Sequence, residues 1–126
     1  MIVGIGVDIC EVSRMAAFLE RQGERAHERL FSGEEVRYCL RRRRSAQSFA
    51  ARFAAKEAVM KLFGTGWSQG IRWRDIEVVR APGGPPGIRL HGEAAQRAQR
   101  MGIARIHLSI THSGDNAMAH VIGETA

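Results

Sequence analysis

Apolar and polar positions alternate at strand spacing near both ends of the chain and recur at helical spacing in much of the region between them. Residues 2–9, IVGIGVDI, predict a strand rich in β-branched side chains with glycines between them. Residues 11–22 carry an apolar stripe at helical spacing, and Gly23 can end that helix. Ser32 is an N-cap candidate, and Glu35 three residues later completes a capping box, so a second helix is predicted there.

The longest apolar segment follows four consecutive arginines, Arg41 to Arg44. It predicts a helix that is capped by Ser45 or Ser48 and ends at the glycine-rich residues 64–66. Its centre is apolar around most of the circumference, more than a single small domain would be expected to cover, yet it contains four charged residues: Arg52, Lys56, Glu57 and Lys61.

The second half of the chain is dominated by strand patterns separated by short turns. Alternation predicts a strand beginning at Ile71, and residues 81–87, APGGPPG, form a predicted loop. Further elements are predicted in this order: a short strand at 88–92, a helix at 93–101, and strands at 104–113 and 117–124. The pattern predicts one α+β domain, residues 1–126, with a mainly antiparallel sheet packed against the long central helix.

The balance of charge indicates an anionic partner. The chain has 19 Lys and Arg against 13 Asp and Glu, a net charge of +6. Nucleic acid, an acidic protein and a phosphorylated metabolite all fit this excess. Arginine supplies every cation except Lys56 and Lys61, so a compact ammonium with three donors is indicated at those two positions.

The location is expected to be cytoplasmic, with no membrane partner. No apolar run reaches the length of a bilayer-spanning helix, and the N-terminus lacks the basic segment of a signal peptide. Cys10 and Cys39 lack metal-ligand spacing, which favours free, buried thiols.

The charges of the long helix divide between two faces. Glu57 and Lys61 lie one turn apart on one face, while Arg52 and Lys56 share another. An exposed Glu57–Lys61 pair would contribute about 0.2–0.5 kcal/mol to helix stability. If the helix is buried, however, the carboxylate needs cations or hydrogen bonds, which a lysine and a metal ion would provide. Both interpretations remain open at this point.

Asp8 is a second carboxylate, predicted at the end of the first strand. It could be a turn or helix-start residue. It could also join Glu57 in binding Mg²⁺, which takes one or two protein carboxylates together with phosphate oxygens and water. Gly4 and Gly6 leave room for a close backbone approach before it. Spacing does not show that the two carboxylates meet.

Four segments resemble, in order and spacing, the holo-acyl-carrier-protein synthases, the short bacterial type of 4′-phosphopantetheinyl transferase. They are GIGVDICEVSR (4–14), RFAAKEAVMKLFGTG (52–66), GIRWRDIEV (70–78) and LSITHSGDNAMAHVI (108–122). The resemblance extends over nearly the whole chain, and its first two segments are specific in combination.

The resemblance implies transfer of the 4′-phosphopantetheine group of coenzyme A to a serine of apo acyl carrier protein, in fatty acid and lipid metabolism, with release of adenosine 3′,5′-bisphosphate. It implies Mg²⁺ ligands at Asp8 and Glu57, and it places Lys61 at the pyrophosphate. These three are the implied catalytic residues. The general base would be a metal-bound water or Glu57 acting through water.

The resemblance also assigns binding residues. Arg14, Met15 and Arg21 would dock the carrier protein, and homotrimers with active sites at the subunit contacts are expected. The coenzyme A contacts would be Lys61, Arg52, Gly64, Thr111 and His112. Arg41 to Arg44 form either a solvated run or a landing site for the 3′-phosphate of coenzyme A or for the acidic carrier.

A small nucleic-acid-binding protein is the alternative that the basic composition suggests. The aromatic residues do not interleave with the basic ones as a stacking platform requires, and helix-turn-helix and zinc-finger spacings are absent from the sequence. We therefore expect no nucleic-acid partner.

Overall fold

The computed structural model describes residues 1–66 and 69–126 and places five helices, five strands and one 3₁₀ turn in them. The helices are α1 (Val12–Gln22), α2 (Glu24–Leu30), α3 (Gly33–Leu40), α4 (Ser45–Phe63) and α5 (Gly92–Arg100). The strands are β1 (Ile2–Glu11), β2 (Ile76–Arg80), β3 (Pro86–Leu90), β4 (Arg105–Ser113) and β5 (Asn116–Glu124), and the 3₁₀ turn is Trp73–Asp75.

The strands form two antiparallel sheets, and α4 is the long helix against which they pack. The larger sheet has the order β1-β5-β4, and β2 and β3 form a separate hairpin. In the larger sheet, Asp8 is the partner of Ala119, so the first strand pairs with the last. The predicted α+β class, with a mainly antiparallel sheet on a central helix, is confirmed.

The apolar circumference of α4 is covered within the chain. Ala54, Ala55, Ala58 and Val59 are fully buried, and they join the core formed with β2, α5 and β5. Phe49 and Ala50, at the start of the helix, pack with residues of α1, α2 and α3. The expectation that this helix has too much apolar surface for one small domain is therefore wrong, because helices on one side and strands on the other enclose it.

Two glycines allow β1 to cross α4 at very short distance. A Cβ atom on Gly6 would lie 1.9 Å from the carbonyl oxygen of Ala58, and one on Gly4 would lie 2.9 Å from a methyl carbon of Leu62. Any side chain at Gly6 would overlap backbone, so the crossing requires glycine there. Residues alternate along the strand, and Asp8 therefore faces the same helix.

Several predicted boundaries are confirmed. Ser32 Oγ accepts from the Glu35 amide while the Glu35 carboxylate accepts from the Ser32 amide, which is the predicted capping box. Gly23 ends α1, and Gly64 ends α4 in the left-handed conformation that favours glycine.

Other predictions are wrong at particular elements. Helix α4 begins at Ser45 with Arg44 as its N-cap and has no side-chain cap, so neither Ser45 nor Ser48 has the predicted role. The strand predicted from Ile71 starts at Ile76, since Asp75 accepts hydrogen bonds from the amide and guanidinium of Arg72 and bends the preceding residues into the 3₁₀ turn.

Three smaller differences separate the structure from the predicted elements. Helix α2 was not predicted, because its seven residues are mostly polar and follow a glycine. Strand β1 continues through Glu11, so Asp8 lies inside the strand and not at its end. Strand β3 begins at Pro86, within the predicted loop. In the described part of the chain, none of the helices combines the length and apolarity needed to cross a bilayer.

Candidate active site

Asp8 and Lys61 meet where β1 crosses α4. The Lys61 ammonium donates to Asp8 Oδ1 at 2.9 Å and to the carbonyl oxygen of Val7 at 3.0 Å. The close approach at Gly6 brings the two elements within reach of each other. Lys61 thereby neutralises one carboxylate while its side chain remains 55% exposed.

Glu57 is the third member of this group, which we call the outer cluster: Asp8, Glu57 and Lys61. Burial, together with the charge of Asp8 and a hydrogen bond between the carboxyl groups, raises the pKa of Glu57 from 4.5 to about 7. Among described residues, no group of three or more His, Cys, Asp or Glu side chains is arranged to hold a metal. Asp8 and Glu57 nevertheless place two carboxylates next to each other, and carboxylate oxygens are ligands that Mg²⁺ accepts.

A cleft of about 760 Å³, the carboxylate cleft, opens over Asp8 and Glu57. Its lining mixes apolar side chains with charged ones and includes Cys10, Arg14, Phe18, Arg21, Phe53 and Trp73. Burial, followed by the charges of Glu57 and Asp8, raises the pKa of the Cys10 thiol to about 11, so this free cysteine is neutral.

The three residues predicted to bind the carrier protein all belong to α1 and all line the carboxylate cleft. Arg14 and Arg21 are exposed, and Arg14 lies 3.8 Å from Glu11 in a loose ion pair. Met15 is buried in the core and contributes to the cleft floor. Two of the three side chains are therefore available at the surface beside the carboxylates.

A second cleft, of about 650 Å³, is strongly cationic, and we call it the arginine cleft. None of its lining residues is acidic. It collects residues from α3, α4, β2 and β4, among them Tyr38, Arg41 to Arg44, Arg52, Arg80 and His112. The arginine run is thus grouped with two of the predicted coenzyme A contacts, Arg52 and His112.

Arg52 is the buried member of this group. Its guanidinium carbon lies 4.0 Å from the centre of the Tyr38 ring, and Arg42 approaches the same ring at 5.4 Å. Within the described ranges, its Nε has no hydrogen-bond partner. A buried guanidinium with an unused donor, at the wall of a cationic cleft, is suited to receive an anion.

Gly64 and Thr111, also predicted as coenzyme A contacts, lie outside the linings of both clefts. Gly64 is exposed at the end of α4. Thr111 is exposed on β4 opposite Met118, which in turn pairs with Ile9, so its side chain lies on the sheet face that points away from α4.

Lys56 belongs to a different, internal group, which no local sequence pattern indicated. Its ammonium is fully buried and donates to Glu35 Oε1 at 2.8 Å and to the carbonyl oxygens of Trp73 and Ile76. Glu35 also accepts from the Val78 amide, and Ser32 Oγ donates to Glu77. We call Lys56, Glu35 and Glu77 the inner cluster; it joins α3, α4 and β2.

Other residues of the clefts were also missed. Phe53 and Trp73 pack in a tilted arrangement with ring centres 4.8 Å apart in the carboxylate cleft, and Tyr38 and Arg80 line the arginine cleft. The partners in each pair come from separate elements, so no local pattern could indicate them. The sequence predicted the long helix that contains Phe53 but not the contact of that side chain with Trp73.

The chain is similar to known proteins over nearly its whole length. The sequence pattern of the 4′-phosphopantetheinyl transferase superfamily matches residues 4–119. Holo-[acyl-carrier-protein] synthase of Koribacter versatilis (strain Ellin345) is 49% identical over 124 residues, which are 98% of this chain and 99% of the relative.

Two solved structures share the fold over nearly their whole length. Holo-[acyl-carrier-protein] synthase of Neisseria meningitidis is 31% identical with a TM-score of 0.88, and the match covers 99% of this chain and 100% of that one. The Helicobacter pylori enzyme in complex with coenzyme A is 28% identical with a TM-score of 0.83, covering 95% and 99%. These relatives give no support to the nucleic-acid alternative. The chain belongs to the 4′-phosphopantetheinyl transferase superfamily.

Proposed function

We propose that this protein is a holo-[acyl-carrier-protein] synthase. It transfers the 4′-phosphopantetheine group of coenzyme A to a serine hydroxyl of apo acyl carrier protein in a Mg²⁺-dependent reaction and releases adenosine 3′,5′-bisphosphate. The observation that carries the proposal is the meeting of Asp8, Glu57 and Lys61 in a chain that matches such synthases over 98% of its length.

Asp8 and Glu57 fit the Mg²⁺ that this reaction needs. They are oxygen donors from different elements, and the charge of Asp8 contributes to the raised pKa of Glu57. When bound, the ion would draw negative charge from the diphosphate oxygens of coenzyme A. Asp8 and Glu57 would hold it, and their mutual repulsion would be relieved.

The remaining chemistry is a phosphoryl transfer. The serine Oγ forms a bond to the β-phosphorus, the bond from that phosphorus to the bridging oxygen breaks, and the oxygen leaves with the α-phosphate. Lys61, exposed beside Asp8, would neutralise this leaving group and can supply a proton to it. Glu57 would accept the serine proton through a water molecule.

The arginine cleft supports a site for the phosphorylated nucleotide end of coenzyme A. Its lining has six arginines and His112 and no acidic residue, and Arg52 presents an unused buried donor. Arginine binds phosphate through paired N–H donors. The run Arg41–Arg44 would thus serve coenzyme A and not the carrier.

The rim of the carboxylate cleft supports carrier docking. Arg14 and Arg21 present two exposed guanidiniums on one helix, next to the carboxylates at which the serine must arrive. An acidic carrier would be drawn to this rim by long-range attraction and held there by rim contacts. Phe18, Phe53 and Trp73 of the same cleft would contact its apolar side chains.

A homotrimer is supported by an uncovered apolar row on β1. Ile5, Val7 and Ile9 are 63%, 48% and 55% exposed and lie on the sheet face opposite α4, where Met118 is also exposed. A row of this kind on an edge strand is typical of a subunit contact. The occupant we infer is a second copy of this chain. Thr111 shares this face, so it would contact coenzyme A at a subunit junction.

Mass spectrometry tests the proposed reaction directly. Apo acyl carrier protein incubated with the protein, coenzyme A and Mg²⁺ should gain one phosphopantetheine group. Reactions without coenzyme A, or with a chelator, should leave the carrier unchanged. No adduct on any apo carrier tested would refute the proposal, and tight binding of random DNA in its place would favour the alternative.

Light scattering tests the oligomer. The wild-type protein should have the mass of three chains, and Ile5→Glu should shift it toward smaller species, because it places a charge in the apolar row. A wild-type monomer that transfers the group normally would contradict the trimer while leaving the activity intact.

A further inference from the structure

Helix α1, which carries Arg14 and Arg21, begins without a cap of its own. Strand β1 leads into it without a loop, and the N-cap residue, Glu11, makes no side-chain capping hydrogen bond. The first turn also contains no acidic residue. The first amides of a helix have no partners within the helix, so they require acceptors from elsewhere.

Asp115 supplies these acceptors from the distant turn between β4 and β5. Its carbonyl oxygen accepts from the Val12 amide at 2.7 Å, and its Oδ1 accepts from the Ser13 amide at 3.0 Å. Its Oδ2 accepts from the Ser13 hydroxyl at 2.5 Å. The carboxylate also places negative charge at the positive end of the helix dipole, which is favourable.

Asp115 lines neither of the two clefts in the described part of the chain, and its side chain bonds Ser13, so α1 is the element on which that side chain acts directly. Its turn directly follows the segment of β4 that carries His112 of the arginine cleft. One side chain thus ties the start of the helix at the carboxylate cleft to the hairpin at the other cleft. Because Asp115 is exposed, its loss should leave the core intact.

We propose that Asp115 is a positioning residue for carrier docking: by capping α1, it holds Arg14 and Arg21 in the orientation that an acidic carrier recognises. This inference rests on the proposed function. The cap acts on the docking helix and not on the outer cluster or the arginine cleft, so it should govern affinity for the carrier and leave affinity for coenzyme A unchanged.

Steady-state kinetics with each substrate varied in turn provide the test. Asp115→Ala should raise KM for apo carrier about five-fold, the size expected for loss of one N-cap, with kcat and KM for coenzyme A unchanged. Asp115→Asn keeps an acceptor for the Ser13 amide and should restore much of the loss. Asn116→Ala, the matched control, alters the neighbouring exposed side chain and should behave as wild type.

Hydrogen exchange of the Val12 and Ser13 amides gives a readout that does not depend on turnover. The Ser13 amide should exchange faster in Asp115→Ala than in Asn116→Ala, whereas the Val12 amide keeps its acceptor, the backbone carbonyl oxygen of position 115. Unchanged KM for the carrier in Asp115→Ala, or an equal rise in KM for both substrates, would overturn the inference while leaving the proposed function in place. Absence of transfer by the wild-type protein would remove the proposed function and this inference with it.

Discussion

The two lysines of this chain lie on the same helix and occupy opposite environments. Lys56, in the inner cluster, is fully buried and uses its three donors on Glu35 and two carbonyl oxygens. Lys61, in the outer cluster, is 55% exposed and donates to Asp8 and one carbonyl oxygen. Lys56 has no donor left for a ligand, whereas the ammonium of Lys61 is accessible to one. Similar charges on one helix thus serve structure at Lys56 and, in the function that we propose, chemistry at Lys61.

Removing Lys56 should have the largest effect on stability. Lys56→Met leaves Glu35 buried without its cation and should lower the free energy of unfolding by about 3–5 kcal/mol. Lys61→Met, the matched control on the exposed side, should cost less than about 1 kcal/mol. Urea unfolding of both variants measures the difference. Equal losses of unfolding free energy in the two variants would show that Lys56 is no more important to stability than Lys61.

Glu57→Gln should have the largest effect on turnover. It keeps the side-chain volume but removes one charge from the cation-binding pair, so kcat should fall about 100-fold or more, the scale of one lost electrostatic contact to a transition state. Subunit assembly should be unchanged by light scattering. Near-normal turnover at limiting Mg²⁺ would contradict the assignment of Glu57 to the metal.

Arg14→Glu should have a smaller and more selective effect. Reversing an exposed charge at the rim of the carboxylate cleft should raise KM for the acidic carrier about ten-fold, in the range of a lost charge contact, with KM for coenzyme A unchanged. The rise should shrink at high salt, because exposed charges are screened. Equal changes in both KM values would place Arg14 outside the docking surface.

Acidification should remove the stability that Glu77 contributes to the inner cluster. Burial alone would raise the pKa of this carboxyl, but hydrogen bonds from Ser32 and His91 hold it below its ordinary value of 4.5. The folded state therefore binds fewer protons than the unfolded chain. The stability from this group is present above pH 4.5 and is lost as the pH falls through the lower, folded pKa.

Glu77→Gln cannot take part in this titration. Its melting temperature should be lower than wild type at pH 7, and the gap should narrow at pH 3. A constant gap over that range, measured by circular dichroism, would show that Glu77 does not contribute to acid sensitivity.

The parts of the fold that local pattern encodes could be predicted. The capping box of Ser32 and Glu35, the end of α4 at Gly64 and the strands after residue 104 follow from residue types a few positions apart. The strand predicted from Ile71 was wrong over residues 71–75. The alternation there suits a strand, but Asp75 accepts hydrogen bonds from Arg72 and bends the backbone. Side-chain bonds of that kind compete with the strand and are invisible to periodicity.

Local pattern also predicted only part of the candidate site. Periodicity placed Glu57 and Lys61 on one face, and the two glycines of β1 indicated a close crossing, but neither showed that Asp8 would meet them. The roles of Lys56 and Asp115 depend on partners at least 17 residues away in the chain. Such contacts depend on the assembled fold, so no local pattern contains them.

The central claim is that Asp8 and Glu57 bind one divalent cation together. Calorimetric titration of Mg²⁺ into the wild-type protein with coenzyme A present, compared with Asp8→Asn and Glu57→Gln, tests it most directly. We expect saturable binding by the wild type and its loss in both variants, with Arg14→Glu binding as the wild type does. Undiminished Mg²⁺ binding by both carboxylate variants would contradict the account.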